Sequence, residues 1–344
     1  MTAEIVPISR ASGAPNASID AMLSLTAPGM NAVNTVILDR MQSEIPLIPS
    51  LAGHLISGGG KRLRPMLTLA GAELVGYQGT RHHKLAAAVE FIHTATLLHD
   101  DVVDGSEMRR GKAAANIIFG NPATVLVGDF LFSRAFELMT EDGSLRVLKI
   151  LSSASAIIAE GEVMQLAAMR NADISEDNYL RIIEAKTAAL FAAAAEVGGI
   201  LASASQTEIE ALKSYGKNLG IAFQLVDDAL DYGSVNRVLG KNTGEDFREG
   251  KVTLPVVLAY RRGDQTGRAF WESAMADATS DSPDFEADLE LAVQYLQETG
   301  ALKDTVARAA HFGERAKDAL ALFPHSDMRT LLIQLSDFCI ARAY

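Results

Sequence analysis

The chain has 344 residues, of which 48% are hydrophobic and 22% are charged, with 10 prolines. This composition excludes a disordered or collagen-like protein, and the length allows one large domain or two smaller ones with a buried core. Lysine and arginine total 31 against 43 aspartates and glutamates, which gives a formal charge of −12. That sign excludes a protein that coats a nucleic-acid backbone.

Cys339 is the single cysteine, so the chain can build neither an intramolecular disulfide nor a thiolate zinc site. A reducing compartment fits this usage, and we expect a cytoplasmic protein. The amino-terminal sequence lacks the basic start and apolar run of a secretory signal. We expect residues 1–30 to form a flexible tail and residues 31–344 to form one domain.

The predicted elements after the tail are helices. Apolar residues recur at every third or fourth position, and alternating strand patterns are scarce, which predicts an all-α fold. Predicted helices include residues 32–46, 85–103, 145–169 and 178–197. Many are apolar around most of their circumference, which is typical of helices inside a single large bundle with a central cavity.

Two stretches need a separate interpretation. Residues 188–205 form a very apolar window, but they include Glu196 and two adjacent glycines, so we expect a buried helix that does not span a membrane. Residues 264–288 are polar and acidic, and we expect an exposed connection there.

Two aspartate-rich motifs carry the chemistry. Residues 100–104 read DDVVD and residues 227–231 read DDALD, and each motif ends an apolar helix. Aspartates four positions apart share a helix face, and one such motif alone would be modest evidence, whereas two indicate a site. Carboxylate oxygens suit hard cations such as Mg²⁺, which complete their coordination with water and substrate phosphates. The sequence therefore predicts metal ions that bridge a diphosphate between the motifs.

Basic residues near these motifs favour the same ligand. Residues 57–65 read SGGGKRLRP, a glycine-rich turn that opens onto cations and can bind an anion. Arg109 and Arg110 follow the first motif closely enough to hold phosphate oxygens. The glycine-rich segment 240–255 carries two lysines and is either an ordinary flexible connection or a lid over the leaving phosphate.

His93 lies one heptad before Asp100, on the same helical stripe, so it can face the cavity. A structural role and a ligand role are equally open for this side chain. Glu90 and His93 also match the Glu-x-x-His element of di-iron bundles, but such sites need two copies and the sequence has one.

In chain order, these motifs resemble those of the trans-type isoprenyl diphosphate synthases, the polyprenyl synthetase family. The resemblance extends from Ala32 through GGGKRLRP, EFIHTATLLHDDVVD, MRRGKAAAN, Gly128-Asp129, AKTAAL, FQLVDDALDY and GEDFREGKVTLP. It implies an isoprenoid synthase type I fold over residues 31–344. It also implies a prenyltransferase that condenses isopentenyl diphosphate head to tail with an allylic diphosphate such as farnesyl diphosphate, with Mg²⁺ as cofactor.

The resemblance further implies roles for single residues. The ligands of three Mg²⁺ ions would be Asp100, Asp101, Asp104, Asp227, Asp228 and Asp231. The diphosphate of isopentenyl diphosphate would be bound by Lys61, Arg64, His93 and Arg110. The allylic diphosphate would be bound by Arg109, Lys186, Thr187, Gln224 and Lys241, with Lys251 in the closing loop. The catalytic set would be Asp100, Asp101, Asp104, Lys186, Asp227, Asp228 and Lys241.

The residues before the first motif are expected to determine the length of the product. Short-chain relatives carry bulky aromatic residues there, whereas this chain has Ala95 and Thr96, with Ala95 about 7.5 Å from Asp100 along the helix axis. The motif HTATLLHDDVVD resembles the long-chain enzymes that make quinone side chains, such as that of ubiquinone. We therefore expect an open tunnel and an all-trans product of roughly 40–50 carbons, with a stop around residues 152–158.

Several alternatives stay open at this point. A shorter-chain farnesyl or geranylgeranyl diphosphate synthase would share the same motifs. A class I terpene cyclase shares the first motif, but its second usually mixes Asn or Asp with Ser or Thr and Glu. A non-catalytic subunit would be expected to lack carboxylates or cations. For partners, we expect a homodimer, at most transient membrane contact and no nucleic acid.

Overall fold

The computed structural model describes residues 14–57, 62–109, 111–233, 244–276 and 285–342. The α-helices of these ranges are α1 (Ala14–Arg40), α2 (Leu47–Ser57), α3 (Leu63–Leu74), α4 (Arg81–Val103), α5 (Ala115–Phe119), α6 (Asn121–Asp142), α7 (Leu145–Ala168), α8 (Glu176–Ile183), α9 (Ala189–Leu201), α10 (Gln206–Asp231), α11 (Glu245–Arg248), α12 (Leu254–Arg262), α13 (Gln265–Ala276), α14 (Phe285–Glu298), α15 (Ala301–Ala319) and α16 (Asp327–Ala341). The predicted all-α fold is confirmed.

A short antiparallel pair, β1 (Met108–Arg109) and β2 (Lys112–Ala113), interrupts the helices after α4. Gly111 stands at the turn with a φ of +75°, a conformation that a side chain would strain. The turn returns the chain toward α4 and fixes Arg109 beside the end of that helix.

Helix α1 begins inside the segment expected to be a tail. It starts at Ala14, and Met22 and Thr26 are buried where α1 packs against α3, α4 and α16. Residues 14–30, which were expected to belong to a flexible tail, are therefore helical, and residues 1–13 lie outside the described part of the chain. Pro28 lies inside the helix and weakens the sequence signal, and tertiary burial outweighs that local preference.

Two apolar clusters form the core, and α10 contributes to both. The first cluster includes Leu219 and packs α10 against α9 and α16. The second includes Leu225 and Trp271 and packs α10 against α12 and α15. Because one helix is buried in both clusters, its carboxyl end is held rigidly where the second aspartate motif lies.

An exposed connection was expected over residues 264–288, but the expectation is wrong at both ends of this range, because residues 285–288 already belong to α14. Residues 265–276 form α13, whose Trp271 is fully buried and whose Met275 lies in the same core. Burial of this amphipathic face outweighs the polar composition that suggested a loop. The remaining residues up to 284 lie outside the described part of the chain.

The apolar window 188–205 forms the buried helix that was predicted. It contains α9, where Glu196 is 8% exposed and lies 3.4 Å from the ammonium of Lys213. Among the described helices, none is both long enough and apolar enough to cross a membrane.

The predicted helix 178–197 is confirmed in its extent, but it is not a continuous α-helix. Between α8 and α9, residues Glu184–Ala188 wind as one π-helical turn, named here the π-turn. Such turns insert a residue into a helix and often occur at functional sites. This one carries Lys186 and Thr187.

Candidate active site

A cavity of about 520 Å³ opens between the carboxyl ends of α4 and α10, the π-turn and the start of α3. It brings together most of the charged residues that the sequence singles out. The charged and histidine side chains on its wall are His54, Arg62, Arg64, Glu90, His93, Asp100, Asp101, Arg109, Lys112, Glu162, Lys186, Asp227 and Arg342.

Both aspartate motifs occupy the carboxyl-terminal turn of their helix. The carbonyls at this end carry partial negative charge, and neither helix has a basic residue in its last turn. The carboxylates therefore lie where the helix itself disfavours them. They need positive charge from elsewhere in the molecule or from a bound cation.

In the first motif, two carboxylates are held by basic side chains. Asp101 is fully buried, and its Oδ1 accepts a hydrogen bond from Nε of Arg109 at 2.6 Å and forms an ion pair with Nη2 of the same guanidinium at 2.5 Å. Within the described residues, its Oδ2 has no partner. Oδ2 of Asp104 accepts from Nζ of Lys251 at 2.7 Å.

Asp100 is less tightly held. Its Oδ2 lies 3.8 Å from Nζ of Lys186, which is too long for a hydrogen bond. Burial raises the pKa of Asp100 to about 7, because the attraction of Lys186 only partly offsets desolvation and the nearby Glu162 repels the charge further. This carboxylate is therefore short of positive charge.

In the second motif, Asp228 is held by neutral donors. The hydroxyl of Tyr179 donates to its Oδ2, and Nε2 of Gln224 donates to its Oδ1 at 2.8 Å. Burial, followed by repulsion from Asp246, raises the pKa of Asp228 to about 8, although both hydrogen bonds act in the opposite direction. Asp228 is thus buried and fixed in orientation.

The other two aspartates of this motif have different partners. Asp231 accepts the backbone N–H groups of Glu245 and Asp246, both at 3.1 Å, which ties the start of α11 to the end of α10. Burial and the nearby Asp246 raise its pKa to about 8. Asp227 lies on the cavity wall, and its Oδ1 accepts from Nη2 of Arg342 at 2.8 Å.

The π-turn supplies two further predicted residues. Nζ of Lys186 donates to Oε2 of Glu162 at 2.7 Å, and the hydroxyl of Thr187 donates to Oε1 of Gln224 at 2.8 Å. Gln224 therefore connects Thr187 to Asp228, which joins the π-turn to the second motif through neutral hydrogen bonds.

Lys251 lies among carboxylates. Burial alone would lower its pKa, but Glu249, Asp104 and Asp246 outweigh burial and raise the pKa above its ordinary value. The lysine is charged in the folded protein and connects the segment after α11 to the end of α4.

Arg64 and His93 lie together on the far wall. Nη1 of Arg64 is 3.0 Å from Nε2 of His93, and the guanidinium stacks 4.6 Å over the ring of Phe191. Thr96 also lines the cavity and donates to the carbonyl of His93 at 2.8 Å. Ala95, in contrast, is fully buried in the core, so only Thr96 of the two chain-length candidates reaches the cavity wall.

Three predicted site residues, Lys61, Arg110 and Lys241, lie outside the described residues. Of the other predicted ligand and substrate-binding residues, nine lie on the wall of the large cavity. Asp104 and Asp231 do not line it and contact Lys251 and the start of α11 instead. Lys251 and Asp228 line a smaller adjoining cavity of about 100 Å³, which shares Lys186, Thr187 and Gln224 with the large one.

The donors present fit a hard divalent cation. They are carboxylate oxygens, one of which, Oδ2 of Asp101, is buried without a partner among the described residues. No group of three or more acidic, histidine or cysteine side chains in the described ranges is already arranged to hold a metal ion. Magnesium usually takes only one or two carboxylates and completes its coordination with water and substrate phosphates, which agrees with this arrangement.

Sequence reasoning missed three residues of the site. Tyr179 precedes Asp228 by 49 positions, and Arg342 follows Asp227 by 115, so neither belongs to a local motif. Glu162 lies on α7 beside Gly161, and this small-residue position was the one available signal. All three become visible only when the helices are packed.

Comparisons with known proteins agree with this geometry. The family model described as "Polyprenyl synthetase" matches residues 45–292. The chain is 46% identical over 325 residues to the octaprenyl diphosphate synthase of Escherichia coli, which covers 94% of this chain and 99% of that protein.

Two solved structures are also similar. A polyprenyl synthase from Caulobacter crescentus, complexed with calcium and isoprenyl diphosphate, superposes with a TM-score of 0.90 at 52% identity, over 95% of this chain and 98% of that one. A decaprenyl diphosphate synthase from Rhodobacter capsulatus gives a TM-score of 0.90 at 51% identity, over 95% and 99%. The chain therefore belongs to the polyprenyl synthetase family of prenyltransferases.

Proposed function

We propose that this chain is a long-chain all-trans polyprenyl diphosphate synthase that adds isopentenyl diphosphate units to an allylic diphosphate such as farnesyl diphosphate. The observation that carries the proposal is the meeting of two acidic helix ends and several basic side chains around one cavity. The names of its octaprenyl and decaprenyl relatives support a product of roughly 40–50 carbons, suited to a ubiquinone side chain.

The cofactor in this proposal is Mg²⁺, with three ions when substrate is bound. The Caulobacter relative is complexed with calcium and isoprenyl diphosphate, which supports a divalent cation as the cofactor of this chain. Asp100, Asp101 and Asp227 line the cavity, so they are the carboxylates best placed to hold these ions. When bound, Mg²⁺ would stabilise the negative charge of the departing diphosphate. Asp104, Asp228 and Asp231 complete the predicted ligand set, and the contacts above tie them to the protein.

The protein's own residues bind and orient the two substrates. Lys186, Thr187, Gln224, Arg109 and Lys241 hold the allylic diphosphate, whose C–O bond breaks with the electron pair on the diphosphate. Lys61, Arg64, His93 and Arg110 hold isopentenyl diphosphate, whose double bond attacks the allylic cation. The released diphosphate accepts the proton that is lost. Positioning and exclusion of water, with Lys251 in the closing segment, protect the cation from hydrolysis.

The assembly we propose is a homodimer. Ile117 and Ile118 of α5 and Val125 and Leu126 of α6 are exposed, although they are large and apolar. Helices α5 and α6 pack against each other, which places these four side chains on neighbouring elements. An apolar patch of this kind is typical of a protein interface, and a second copy of the chain would cover it.

Product analysis tests the proposal. The purified protein is incubated with labelled isopentenyl diphosphate, farnesyl diphosphate and Mg²⁺, and the extracted prenols are sized. We expect a Mg²⁺-dependent series of prenols that ends at roughly 40–50 carbons, as the relatives' names imply. Products that stop after one or two additions would indicate a short-chain synthase, and a cyclised farnesyl group would indicate a terpene cyclase.

A further inference from the structure

The π-turn and α7 approach each other unusually closely. A Cβ atom at Gly161 would lie 2.8 Å from the backbone nitrogen of Lys186 and 2.9 Å from Cβ of Ala185, which no side chain tolerates. Glycine at this position therefore lets α7 lie directly against the backbone of the π-turn. The next residue, Glu162, is thereby brought level with the side chain of Lys186.

Glu162 and Asp100 both face the same ammonium group. Nζ of Lys186 is 2.7 Å from Oε2 of Glu162 and 3.8 Å from Oδ2 of Asp100. The first distance is a hydrogen-bonded ion pair, and the second is not a hydrogen bond. Oε1 of Glu162 is buried without a partner among the described residues. Lys186 is therefore the hydrogen-bonded partner of Glu162 and only a neighbour of Asp100.

This preference has a consequence for Asp100. Lysine is a flexible point charge, and a small rotation of its side chain would bring Nζ into hydrogen-bonding distance of Asp100. The cavity is partly screened from water, so such a pair would neutralise the carboxylate strongly. With Lys186 held by Glu162, the negative charge of Asp100 stays available to a cation.

We propose that Glu162 is a positioning residue that holds Lys186 away from Asp100, so that Asp100 remains free to bind a divalent cation and Lys186 remains free to meet a diphosphate. The inference rests on the proposed function, in which Asp100 holds a metal ion. It assigns Glu162 a task that belongs neither to a metal ligand nor to a diphosphate-binding group.

The test measures Mn²⁺ binding to the substrate-free protein, by the loss of the electron paramagnetic resonance signal of free Mn²⁺. Glu162→Gln removes the charge that holds Lys186, and we expect Mn²⁺ binding to weaken about tenfold, the lower range for a group that supports a metal ligand. The double variant Glu162→Gln, Lys186→Met removes the competing ammonium as well. Its Mn²⁺ affinity is expected to return to that of the wild type.

Two further variants separate position from charge. Glu162→Asp keeps the charge but withdraws the carboxylate by one methylene, and we expect weaker Mn²⁺ binding here too. The matched control is Glu184→Gln, because Glu184 lies on the same π-turn and pairs with Lys217 at 2.5 Å on the surface. This control is expected to bind Mn²⁺ like the wild type.

Four results would overturn the inference. These are no Mn²⁺ uptake by the wild type, wild-type affinity in Glu162→Gln, wild-type affinity in Glu162→Asp, or weak binding that persists in the double variant. Weak Mn²⁺ binding in the double variant would indicate that Glu162 is itself a metal ligand. Mn²⁺ binding is measured without substrate, so failure here differs from failure of the wild type to make polyprenyl products, which would refute the proposed function.

Discussion

The ammonium of Lys251 lies 2.7 Å from Oδ2 of Asp104, although the two residues are 147 positions apart. Their side chains are 16% and 10% exposed, so the pair is largely removed from water. Lys251 follows the second aspartate motif, and Asp104 ends the first. This contact therefore joins the segment after the second motif to the end of the first motif.

Removal of one partner of this pair should be more damaging than removal of both. We expect Lys251→Met to lower the free energy of unfolding by about 3 kcal/mol in metal-free buffer, because Asp104 would be left buried and unpaired. Urea unfolding measures the change. The exposed control Lys84→Met, which pairs with Glu141 on the surface, should lose less than about 1 kcal/mol.

The double variant Lys251→Met, Asp104→Asn completes this test. We expect it to recover most of the loss, because no unpaired charge remains. Strictly additive effects of the two substitutions would contradict the account, since they would show that the two side chains do not interact.

Tyr179 is expected to hold Asp228 in position. Tyr179→Phe removes the hydroxyl that donates to Oδ2 and leaves a buried carboxylate oxygen without that donor. We expect a loss of about 1–3 kcal/mol in urea unfolding and a pH–rate profile displaced to higher pH, because this hydrogen bond lowers the pKa of Asp228. Tyr260→Phe is the control, since its hydroxyl bonds to Glu272 on the exposed surface. Equal effects of the two variants would contradict the role of Tyr179 in holding Asp228.

The fold could be predicted from the sequence where the apolar periodicity and the residues that end helices agree. The predicted helices 85–103 and 145–169 correspond to α4 and α7 within a few residues, because α4 ends beside Asp104 and α7 begins after the capping residue Ser144. The π-turn could not be predicted, since it depends on the close approach of Gly161 from another helix. Helix α13 was missed because burial of Trp271 is a tertiary effect.

Metal binding should depend on pH, because the carboxylates of the site hold protons unusually well. Burial raises the pKa of Asp100 to about 7 and the pKa values of Asp228 and Asp231 to about 8. A cation must displace these protons, so the affinity for Mn²⁺ should rise as pH increases from 6 to 9 and protons should be released on binding. Titrations at several pH values, with an indicator for released protons, measure both.

The same raised pKa values should make the metal-free protein less stable as pH rises, although the rise in pH strengthens metal binding. A carboxyl group whose pKa is higher in the folded protein stabilises the fold at low pH, and this contribution is lost as pH rises through the folded pKa. The metal-free protein should therefore lose stability between about pH 4 and 8. Mn²⁺ affinity that is independent of pH, or strongest at pH 6, would contradict these assignments.

The candidate site was predictable in its motifs but not in its contacts. Short spacing brings Asp101 and Arg109 together, and a single sequence shows this. The partners of Asp104 and Asp227 come from distant parts of the chain, since they are Lys251 and Arg342. The resemblance implied that both Ala95 and Thr96 face the tunnel, whereas the packed structure buries Ala95 in the core and leaves Thr96 on the wall.

Product length should respond to Thr96. Thr96→Phe places a large ring on the cavity wall, and we expect the main product to shorten by several isoprene units while the first condensation remains fast. Sizing of the extracted prenols measures the change. Thr35→Phe is the control for the same substitution at an exposed position on α1, and it should leave the product length unchanged. An unchanged series of prenols in Thr96→Phe would place the tunnel elsewhere.

The most direct measurement is the rate at which labelled isopentenyl diphosphate is incorporated, at saturating Mg²⁺, by variants of each acidic helix end. Asp100→Asn and Asp227→Asn should each lower the rate by about a hundredfold or more, because both helix ends act on the same diphosphate. Asp337→Asn, an exposed aspartate on α16, should stay within about twofold of the wild type. Near-normal incorporation by either site variant would contradict a single site formed by both motifs.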